Sequence, residues 1–475
     1  MPTQKEYDVG LQTYRSLYAK IRLINTDWQE LSEWESAVIG SPTFTIDSQS
    51  AIRRTCNITL ASTDIKGIDH AVGFGKDIWL TTYFQIWLGI EDVHTKEVIY
   101  TNMGIYMVDN PTLNYSATDN SFNIKGVDLY ARMTGLRNGN LEGVEYVIPQ
   151  GTNVRKAIIG AIELAGFHNY VVQECQFSTV PNQINLDVGS TIADILDELQ
   201  QIDPNTQMYF DVDGIFHYEP IPTGADEIPV LNDDYWNRNL ISLQTSYDFE
   251  NVKNSIEVIG KTHDIKWYAD ATISGNVYNL DMPAYTSSVY RNKVKIGFTA
   301  PSKITNPYLQ INSLGAKPIV NTDGTPAVLY DETSKYYVVR YNEDGDCFIF
   351  LGAVCPRAKV EETNPESPYS ISKLGTVRIV LSGGEYDNIF TDAQALARAK
   401  WELYRRCKLT DSINITCAPI LWLDVNQIIE ITIPATNKST QDVTNQYIVT
   451  SVNTTFGTDG TQTINASRYY PFYND

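Results

Sequence analysis

Short β-forming segments, each bounded by turn residues, occupy most of this chain and limit the folds open to it. Segments 43–46 (Thr-Phe-Thr-Ile) and 56–60 (Cys-Asn-Ile-Thr-Leu) are typical, because β-branched and aromatic residues are flanked by Ser, Pro or Asp. Segment 121–127 alternates apolar and polar residues, which predicts a strand with one buried face. The 475 residues are enough for about three domains at ~150 residues each. We therefore predict a mainly β, multidomain fold (β plus α/β) with a few helices.

Helical patterns are few, and each begins at a residue type that commonly caps helices. Apolar residues at helical spacing follow a cap at Thr152 or Asn153, and a second run follows Thr191, where Asp194 completes a capping pattern. A third run begins at Thr391 and carries one apolar stripe. The predicted helices lie at 128–134, 152–166, 191–203 and 391–407.

The change from strands to helices near Pro149 indicates separate domains. Residues 146–235 combine two helices with a hairpin, whereas strands dominate on both sides. Residues 265–374 are rich in Tyr, Asn, Thr and Pro and contain Asp-Gly turn pairs, so we interpret them as an inserted β domain. The predicted domains are 1–145, 146–235, 236–264 with 375–475, and the insertion 265–374.

The charge of the chain argues against one class of function. It has 36 Lys and Arg against 57 Asp and Glu, a formal net charge of −21. Proteins that bind a phosphate backbone do so through Lys and Arg, and this sequence has no run rich in them. Such a chain repels DNA and anionic membranes, so we expect neither sequence-specific nucleic-acid binding nor membrane insertion.

Neither a membrane segment nor a disulfide framework is predicted. Residues 1–10 are polar and lack the apolar core of a signal peptide. Thr81, Thr82 and Gln85 interrupt the apolar segment 78–90, which is shorter than the ~20 residues of a spanning helix. We therefore expect synthesis and folding in a cytoplasm. The six cysteines form no Cys-x-x-Cys pair, and most have β-forming neighbours, so we expect buried free thiols.

Three glycine-containing motifs resemble ligand-binding loops but lack essential parts. Asp211-Val-Asp213-Gly214 begins like a calcium loop, yet a strand follows where further oxygen ligands belong. Segment 343–346 (Glu-Asp-Gly-Asp) departs in the same way, and we predict that both are hairpin turns. Segment 73–76 (Gly-Phe-Gly-Lys) precedes a strand instead of a helix, so we predict a flexible loop and no phosphate site.

The remaining candidates for chemistry are scattered along the chain. The five histidines are His70, His94, His168, His217 and His263. None of them forms an i, i+4 pair of metal ligands. Segment 233–236 (Asp-Asp-Tyr-Trp) places two acids beside an aromatic platform, as a glycosidase would, but a boundary loop with solvated acids is favoured. Segment 265–345 suits carbohydrate binding through aromatic faces or an ordinary β insertion equally well. We predict no catalytic, cofactor-binding or metal-binding residues.

Several segments, taken in order, point to a family. They are Thr45-Ile-Asp with Ser50-Ala-Ile-Arg-Arg-Thr-Cys-Asn-Ile-Thr-Leu, Met103-Gly-Ile-Tyr-Met-Val-Asp-Asn-Pro with Ile124-Lys-Gly-Val-Asp-Leu-Tyr-Ala-Arg-Met, Val147-Ile-Pro-Gln-Gly-Thr-Asn-Val-Arg-Lys-Ala-Ile, Thr191-Ile-Ala-Asp-Ile-Leu-Asp-Glu-Leu, and Asp392-Ala-Gln-Ala-Leu-Ala-Arg-Ala-Lys-Trp-Glu-Leu with Leu423-Asp-Val-Asn-Gln-Ile-Ile-Glu-Ile and Tyr447-Ile-Val-Thr-Ser-Val. This ordered set resembles the baseplate or tail-tip hub proteins of long-tailed bacteriophages and phage-tail-like particles. Segment 265–374 has no counterpart in the resemblance.

The resemblance implies a structural protein of the virion tail without catalysis. In that family two tube-like β-barrel domains, each with one helix, lie side by side in one chain, and an α/β domain lies at the periphery. Three copies form a homotrimeric ring, a symmetry adaptor between the sixfold tail tube and the threefold central spike or tip, with a channel for DNA or tape measure protein. Here 1–145 and 236–264 with 375–475 would be the tube-like domains. The implied partners are further copies of the chain, the tail tube or distal tail protein, the spike or tail-tip protein, and the tape measure protein.

Two other functions stay open on the residues alone. A tail-associated cell-wall hydrolase would act through a pair of acids. A carbohydrate- or receptor-binding tail protein would use the insertion 265–374 as its binding module.

Overall fold

The computed structural model describes most of the chain. The described ranges are 2–35, 38–61, 76, 78–115, 120–143, 146–181, 183–224, 227–329, 336–433, 442–457 and 459–470. The predicted glycine loop 73–76, apart from Lys76, and His70 lie outside the described residues.

The N-terminal β unit opens with a helix and continues with seven strands among the described residues. They are α1 (Gln4–Gly10), β1 (Leu17–Ile24), β2 (Glu30–Glu35), β3 (Val38–Asp47), β4 (Arg54–Ala61), β5 (Tyr83–Glu91), β6 (Val98–Tyr115) and β7 (Asn120–Asp128), followed by a 3₁₀ helix (Leu129–Met133). Helix α1 was not predicted. It begins with a capping box, in which the Glu6 N–H donates to Thr3 Oγ1 and the Thr3 N–H donates to the Glu6 carboxylate.

The α/β unit follows, and its helices begin where the sequence predicts. Its elements are β8 (Tyr146–Ile148), α2 (Val154–Leu164), β9 (Tyr170–Val172), β10 (Ile184–Leu186), α3 (Ile192–Gln200), β11 (Thr206–Phe210) and β12 (Phe216–Pro220). Asn153 caps α2, and Thr191 with Asp194 forms the capping box of α3. Both predicted helices and the predicted hairpin β11–β12 are confirmed.

The C-terminal half contains an inserted barrel. Helix α4 (Asp233–Asn239), β13 (Leu240–Asp248) and β14 (Ser255–Ile259) lead to β15 (Trp267–Ser274), β16 (Val277–Leu280), β17 (Lys295–Thr299), β18 (Tyr308–Ile311), β19 (Lys317–Val320), β20 (Tyr336–Asn342) and β21 (Cys347–Ala353). Strands β15–β21 close into a barrel in the order β15-β16-β18-β19-β21-β20-β17. Tyr278, Phe298 and Phe350 fill its core.

The last part of the chain returns to the main body of the protein. It contains β22 (Arg357–Glu361), α5 (Ile371–Leu374), β23 (Arg378–Leu381), a 3₁₀ helix (Gly384–Asn388), α6 (Asp392–Arg406), β24 (Thr410–Cys417), β25 (Ile428–Ile433), β26 (Val443–Thr455) and β27 (Gln462–Arg468). Thr391 caps helix α6, as predicted, because the Thr391 hydroxyl accepts from the Gln394 N–H at 3.1 Å. Strand β22, within the predicted insertion 265–374, pairs with β14 and not with the barrel, and α6 packs against that sheet.

Two β units share one strand order. In the N-terminal β unit the neighbours follow the order β3-β4-β7-β6-β5. In the C-terminal β unit, defined as β13 and β24–β27, they follow β13-β24-β27-β26-β25. All of these pairings are antiparallel. The same five-stranded arrangement is therefore present twice, although the inserted residues separate β13 from β24.

The two β units are fused edge to edge. Strand β3 pairs with β26, so that both units belong to one sheet of 12 strands, in which β1 and β2 extend the side of β5. The prediction of a mainly β, multidomain fold with a few helices is confirmed. The two β-rich ends, predicted as tube-like barrel domains, share this single sheet.

Candidate functional site at the junction of three units

Side chains from three units meet in a buried ionic cluster that we call the three-way junction: Arg53, Arg54, Asp128, Gln207 and Asp424. The arginines lie where β4 begins, and Asp128 ends β7 of the same unit. Gln207 lies on β11 of the α/β unit, and Asp424 precedes β25 of the C-terminal β unit. Arg53 and Arg54 are only 6% and 2% exposed. Charges buried to this degree require partners, so the cluster needs all three units in place.

Arg54 touches each of the three units. Its backbone N–H donates to Asp128 Oδ2 at 2.8 Å. Its guanidinium donates to the carbonyl oxygen of Phe210 and to the carboxylate of Asp424. Asp128 also accepts from the Tyr130 N–H at 2.9 Å and so caps the 3₁₀ helix. A displacement of any one unit would leave a buried charge without its partner, which is strongly unfavourable.

Arg53 adds a second set of contacts between the same units. Its Nη1 donates to Gln207 Oε1 at 3.0 Å, and its Nη2 donates to the Val425 carbonyl at 3.1 Å. The guanidinium carbon lies 3.9 Å from the centre of the Tyr209 ring, a cation–π contact. Asn426 donates to the same oxygen of Gln207. Gln207 thus links an arginine of one β unit to an amide of the other.

The two carboxylates of the junction are shifted in opposite directions. Burial raises the pKa of Asp128 to about 6, and the N–H of Arg54 offsets only part of this. Burial acts in the same direction on Asp424, but Arg54 and Arg53 outweigh it and hold the pKa of Asp424 below its usual value. Asp424 is therefore the ionised partner on which the buried arginines depend.

The turn of the β11–β12 hairpin is a second contact between units. Asp211 accepts from the backbone N–H groups of Asp213 and Ile215, both at 2.9 Å, which closes the turn. Asn102 of the N-terminal β unit donates to Asp213 Oδ1 at 2.9 Å. Gly214 has φ +75° and lies so close to Trp28 that an added Cβ would be 2.6 Å from the ring. The prediction of a hairpin turn at 211–214 is confirmed, and the turn docks on the neighbouring unit.

His217 lies beside this turn and is held by two acids. Its Nε2 is 2.9 Å from Asp211 Oδ2, and its Nδ1 is 3.9 Å from Glu219 Oε2. The Tyr209 ring stacks on the imidazole with 5.1 Å between centres, and the Tyr209 hydroxyl donates to Glu219 at 2.8 Å. The hydrogen bond to Asp211 and the nearby carboxylate of Glu219 raise the pKa of His217 from 6.5 to about 9. The protonated imidazole therefore connects the turn to the three-way junction through Tyr209.

This raised pKa predicts a pH-dependent stability. His217 binds its proton more tightly in the folded state, so its stabilising contribution is full below pH 6.5 and is lost as the pH rises through about 9. We expect the substitution His217→Gln to lower the free energy of unfolding below pH 6.5 and to have a much smaller effect above pH 9. Denaturant titrations of both proteins at the two pH values measure this difference. His168→Gln, at an exposed position of the same unit, is the control, and an effect of His217→Gln that is independent of pH would contradict the assignment.

The structure corrects the prediction for segment 233–236. These residues belong to helix α4 and not to a solvated loop, and the side chain of Asp234 is outside the described residues. Asp233 accepts from the Thr432 N–H at 2.7 Å. Tyr235 and Trp236 are 0% and 2% exposed and pack in the core of the C-terminal β unit. The two rings are thus buried and form no exposed platform, because burying large aromatic side chains in the core removes apolar surface from water.

The other acidic motif is a turn, as predicted. Segment 343–346 joins β20 to β21, with Asn342 opposite Cys347. Asp346 accepts from the Tyr341 hydroxyl at 2.6 Å and pairs with Lys317. Its carboxylate is therefore engaged within the barrel.

The histidines in the described ranges, which were predicted to be scattered, and the cysteines, which were predicted to be buried free thiols, lie in separate surroundings. His94 and His168 are exposed, whereas burial lowers the pKa of His263 to about 4. All six cysteines are free thiols, and Cys56, Cys175, Cys347 and Cys417 are buried. In the described ranges, His, Cys, Asp and Glu side chains do not gather in groups of three or more that would hold a metal ion. Among the described helices, none has both the length and the apolar character needed to cross a bilayer.

The tyrosines of segment 265–345 lie mostly inside the barrel. Tyr278, Tyr285 and Tyr337 are buried in its core. Tyr268 and Tyr336 remain on the surface, 43% and 56% exposed, and their rings stack with centres 6.4 Å apart. Most of the aromatic residues that suggested carbohydrate binding therefore serve the packing of the barrel.

The residues of the three-way junction were missed by the sequence reasoning. Arg53, Arg54 and Asp424 occur in the sequence patterns only as members of the segments that carry the family resemblance. An adjacent pair of arginines at the start of a strand with a buried face is the available signal, because such side chains must either leave the core or find partners within it.

Comparison with known proteins gives one family match and several structural matches. Residues 366–473 match the family described as "Domain of unknown function (DUF5048)". No curated protein matches the sequence. The fold is similar to the 43 kDa tail protein of prophage MuSo2 from Shewanella oneidensis, at 9% identity and a TM-score of 0.47 over 94% of this chain and 98% of that chain.

Two further structures have the same degree of similarity. One is the tail protein from Neisseria meningitidis MC58, at 8% identity and a TM-score of 0.49 over 95% of this chain and 96% of that chain. The other is prophage tail protein gp18 from Listeria monocytogenes EGD-e, at 10% identity and a TM-score of 0.45 over 94% of each chain. These structural neighbours are phage tail proteins.

Proposed function

We propose that the chain is a non-catalytic structural protein of a phage-type tail, a baseplate or tail-tip hub of which three copies form a ring. The ring joins a sixfold tail tube to a threefold central spike or tip. The observation that carries the proposal is the repeated five-stranded arrangement, β3-β4-β7-β6-β5 and β13-β24-β27-β26-β25, fused into one sheet.

The repeat explains how one protein could match two symmetries. A chain with two similar β units presents six similar units when three copies close into a ring. The α/β unit and the inserted barrel occur once per chain, so the same ring presents them three times. A sixfold tube can then bind the repeated units, and a threefold spike can bind the features that occur once.

The three-way junction supports this function mechanically. Arg54 and Arg53 hold the two β units and the α/β unit in one orientation through buried charges. A ring closes only when the angle between successive units is constant, and a cluster of buried arginines paired with Asp424 makes other orientations costly. The proposed domains remain 1–145, 146–235, 236–264 with 375–475, and 265–374.

The acidic charge of the chain supports a central channel in the ring through which other molecules pass. A net charge of −21 disfavours attachment of nucleic acid, so DNA or a tape measure protein would pass an acidic channel without binding. The proposed partners are further copies of the chain, the tail tube or distal tail protein, the spike or tip protein and the tape measure protein. The proposed location is the tail of the particle, after assembly in the host cytoplasm.

The oligomeric state tests this proposal. We expect native mass spectrometry of the full chain, alone or mixed with its tube or spike partner, to show a species that contains three copies of the 53.5 kDa chain. Electron microscopy of that species should show a ring with six similar lobes. A chain that stays monomeric in the presence of both partners would contradict the proposal.

A further inference from the structure

The contact that fuses the two β units has a defined register. Strand β3 runs antiparallel to the second half of β26, with Thr45 opposite Asn453. The Ser48 N–H donates to the Thr450 carbonyl at 3.0 Å, and the Phe456 N–H donates to the Pro42 carbonyl at 2.8 Å. These bonds set the alternation along the ladder, so Thr45 and Asn453 form a non-hydrogen-bonded pair, the kind with the closest side chains. The Thr45 hydroxyl donates to Asn453 Oδ1 at 2.9 Å.

The same register is present in both β units. A row of directly paired residues crosses five strands of each unit. In the N-terminal β unit the row is Thr45, Thr55, Val127, Met107 and Tyr83. In the C-terminal β unit the row is Ser246, Ser412, Ser467, Ile448 and Ile428.

The long central strands also share an irregularity just beyond this row. The pairing of β6 with β7 shifts between Asp109 and Thr112, and that of β26 with β27 shifts between Val449 and Ser451. Beyond the shift, Thr112 of β6 pairs with Asn123 and Asn453 of β26 pairs with Thr463. Asn123 and Thr463 each lie four residues before the row, so Thr112 and Asn453 are equivalent. By the same register Ser246 of β13 takes the position of Thr45 of β3.

Among the described residues of one chain, one of these two equivalent contacts is made and the other is not. Strand β26 beyond its shift is paired with β3. In the described part of the chain, the equivalent segment of β6, residues 112–115, pairs with β7 only. Strand β13, the equivalent of β3, ends the sheet and pairs with β24 only, again among the described residues. In the ranges that the structure describes, each copy therefore has one open edge of each kind.

Side chains of β13 are exposed where the equivalent side chains of β3 are covered by a neighbouring unit. Ile46 of β3 is 9% exposed because it packs in the core of the C-terminal β unit, across the contact with β26. Its equivalent in β13, Tyr247, is 58% exposed. Ile241 and Phe249, near the two ends of the strand, are 62% and 76% exposed. An open edge strand with large exposed apolar residues is a site for pairing with another strand.

We propose that β13 of one copy pairs antiparallel with residues 112–115 of β6 in the next copy, and so repeats between chains the contact that β3 and β26 make within a chain. Ser246 then lies opposite Thr112, and Gln244 lies opposite Asn114. The partner is a second copy because the two open edges match the two sides of a contact already present in this fold. The contact is head-to-tail, so it generates a ring, instead of a simple dimer, when the rotation between successive copies closes after three. This inference rests on the proposed ring.

Disulfide trapping tests the pairing directly. The double variant Thr112→Cys with Ser246→Cys places two thiols at a non-hydrogen-bonded pair, where Cα atoms are about 4.5 Å apart, within the range that a disulfide bridges. Both positions are exposed. We expect mild oxidation to give covalently linked chains on a non-reducing gel. Each single variant, and the pair Thr112→Cys with Thr272→Cys on the barrel surface, should give none.

A second variant removes the contact instead of trapping it. Thr245 is equivalent to Phe44. Every second residue of β3 donates its N–H toward β26, and because Ser48 does so, the N–H of Phe44, four residues earlier, points to β26 as well. Thr245→Pro should therefore remove an outward N–H while the ladder to β24 stays intact. We expect about tenfold weaker association, the equivalent of roughly one lost hydrogen bond, and an unchanged melting temperature of the dissociated chain. Thr245→Ser, which keeps the N–H, is the control.

The outcomes separate this inference from the proposed function. A ring of three chains that forms no disulfide in the double variant, or that Thr245→Pro leaves as tight as before, would overturn the β13–β6 contact and leave the hub proposal standing. A wild-type chain that stays monomeric with its partners would overturn both.

Discussion

Replacing Asp424 by asparagine is expected to lower the free energy of unfolding by about 3 kcal/mol, because it leaves Arg54 charged and buried without its ionised partner. Arg54 is 2% exposed, and its other acceptor is a backbone carbonyl of the α/β unit. The substitution keeps the size of the side chain, so the effect reports the charge. Denaturant unfolding followed by circular dichroism measures it.

A surface ion pair is the control for this prediction. Lys5 and Glu97 are 2.7 Å apart but 65% and 53% exposed. Glu97→Gln should cost only about 0–1 kcal/mol, since solvent screens such pairs. Equal losses for Glu97→Gln and Asp424→Asn would show that the three-way junction is no more important than a surface contact.

Replacing Glu402 by glutamine is expected to have an effect of similar size, about 3 kcal/mol, in the helix that covers the β22-β14-β23 sheet. The Glu402 side chain is 1% exposed, and its two oxygens accept from Arg398 Nε at 3.1 Å and Arg406 Nε at 2.9 Å. Arg398 is itself 8% exposed, so the lost charge cannot be replaced by water. The same unfolding experiment measures the loss.

The same carboxylate provides its own control. Arg405 is 3.7 Å from Glu402 but 51% exposed, so Arg405→Gln should cost less than about 1 kcal/mol. If Arg405→Gln were as harmful as Glu402→Gln, the stabilisation would come from the net charge of the helix end and not from the buried pairs.

Elements with a complete local signal were predictable from the sequence. The caps Asn153, Thr191 and Thr391 lie three residues from the N–H groups that donate to them, so one short segment of the sequence contains both partners of each hydrogen bond. The turn at 211–214 has the same property, since Asp211 closes it through neighbouring N–H groups. Helix α1 had a comparable cap but lacked a long apolar repeat, and it was missed.

Elements that depend on distant partners were not predictable. Segment 233–236 contains polar and aromatic residues that suit a loop, and it is helical because Tyr235 and Trp236 fill a core made by β25–β27. The three-way junction joins Arg54 to Asp424 across 370 positions. Nothing in either segment identifies the other.

The repeat of the β units shows the same limit. Strands β13 and β24 pair along their length, although the inserted barrel and a further sheet separate them in the chain. Equivalent strands of the two units share a register and are interrupted by inserted residues, so the shared strand order is visible only in the pairing of the strands. The open edges of β13 and β6 become visible only after the rows of both units are aligned.

The sequence is enough to specify the mainly β character, the capped helices and the hairpin turns, because these depend on hydrophobic periodicity and on hydrogen bonds between near neighbours, and its composition sets the acidic charge. The tertiary structure alone decided which strands are neighbours, which acids neutralise the buried arginines and which edges stay open. Those outcomes depend on contacts between residues that are hundreds of positions apart, where burial and pairing of charges, and not local preference, set the free energy.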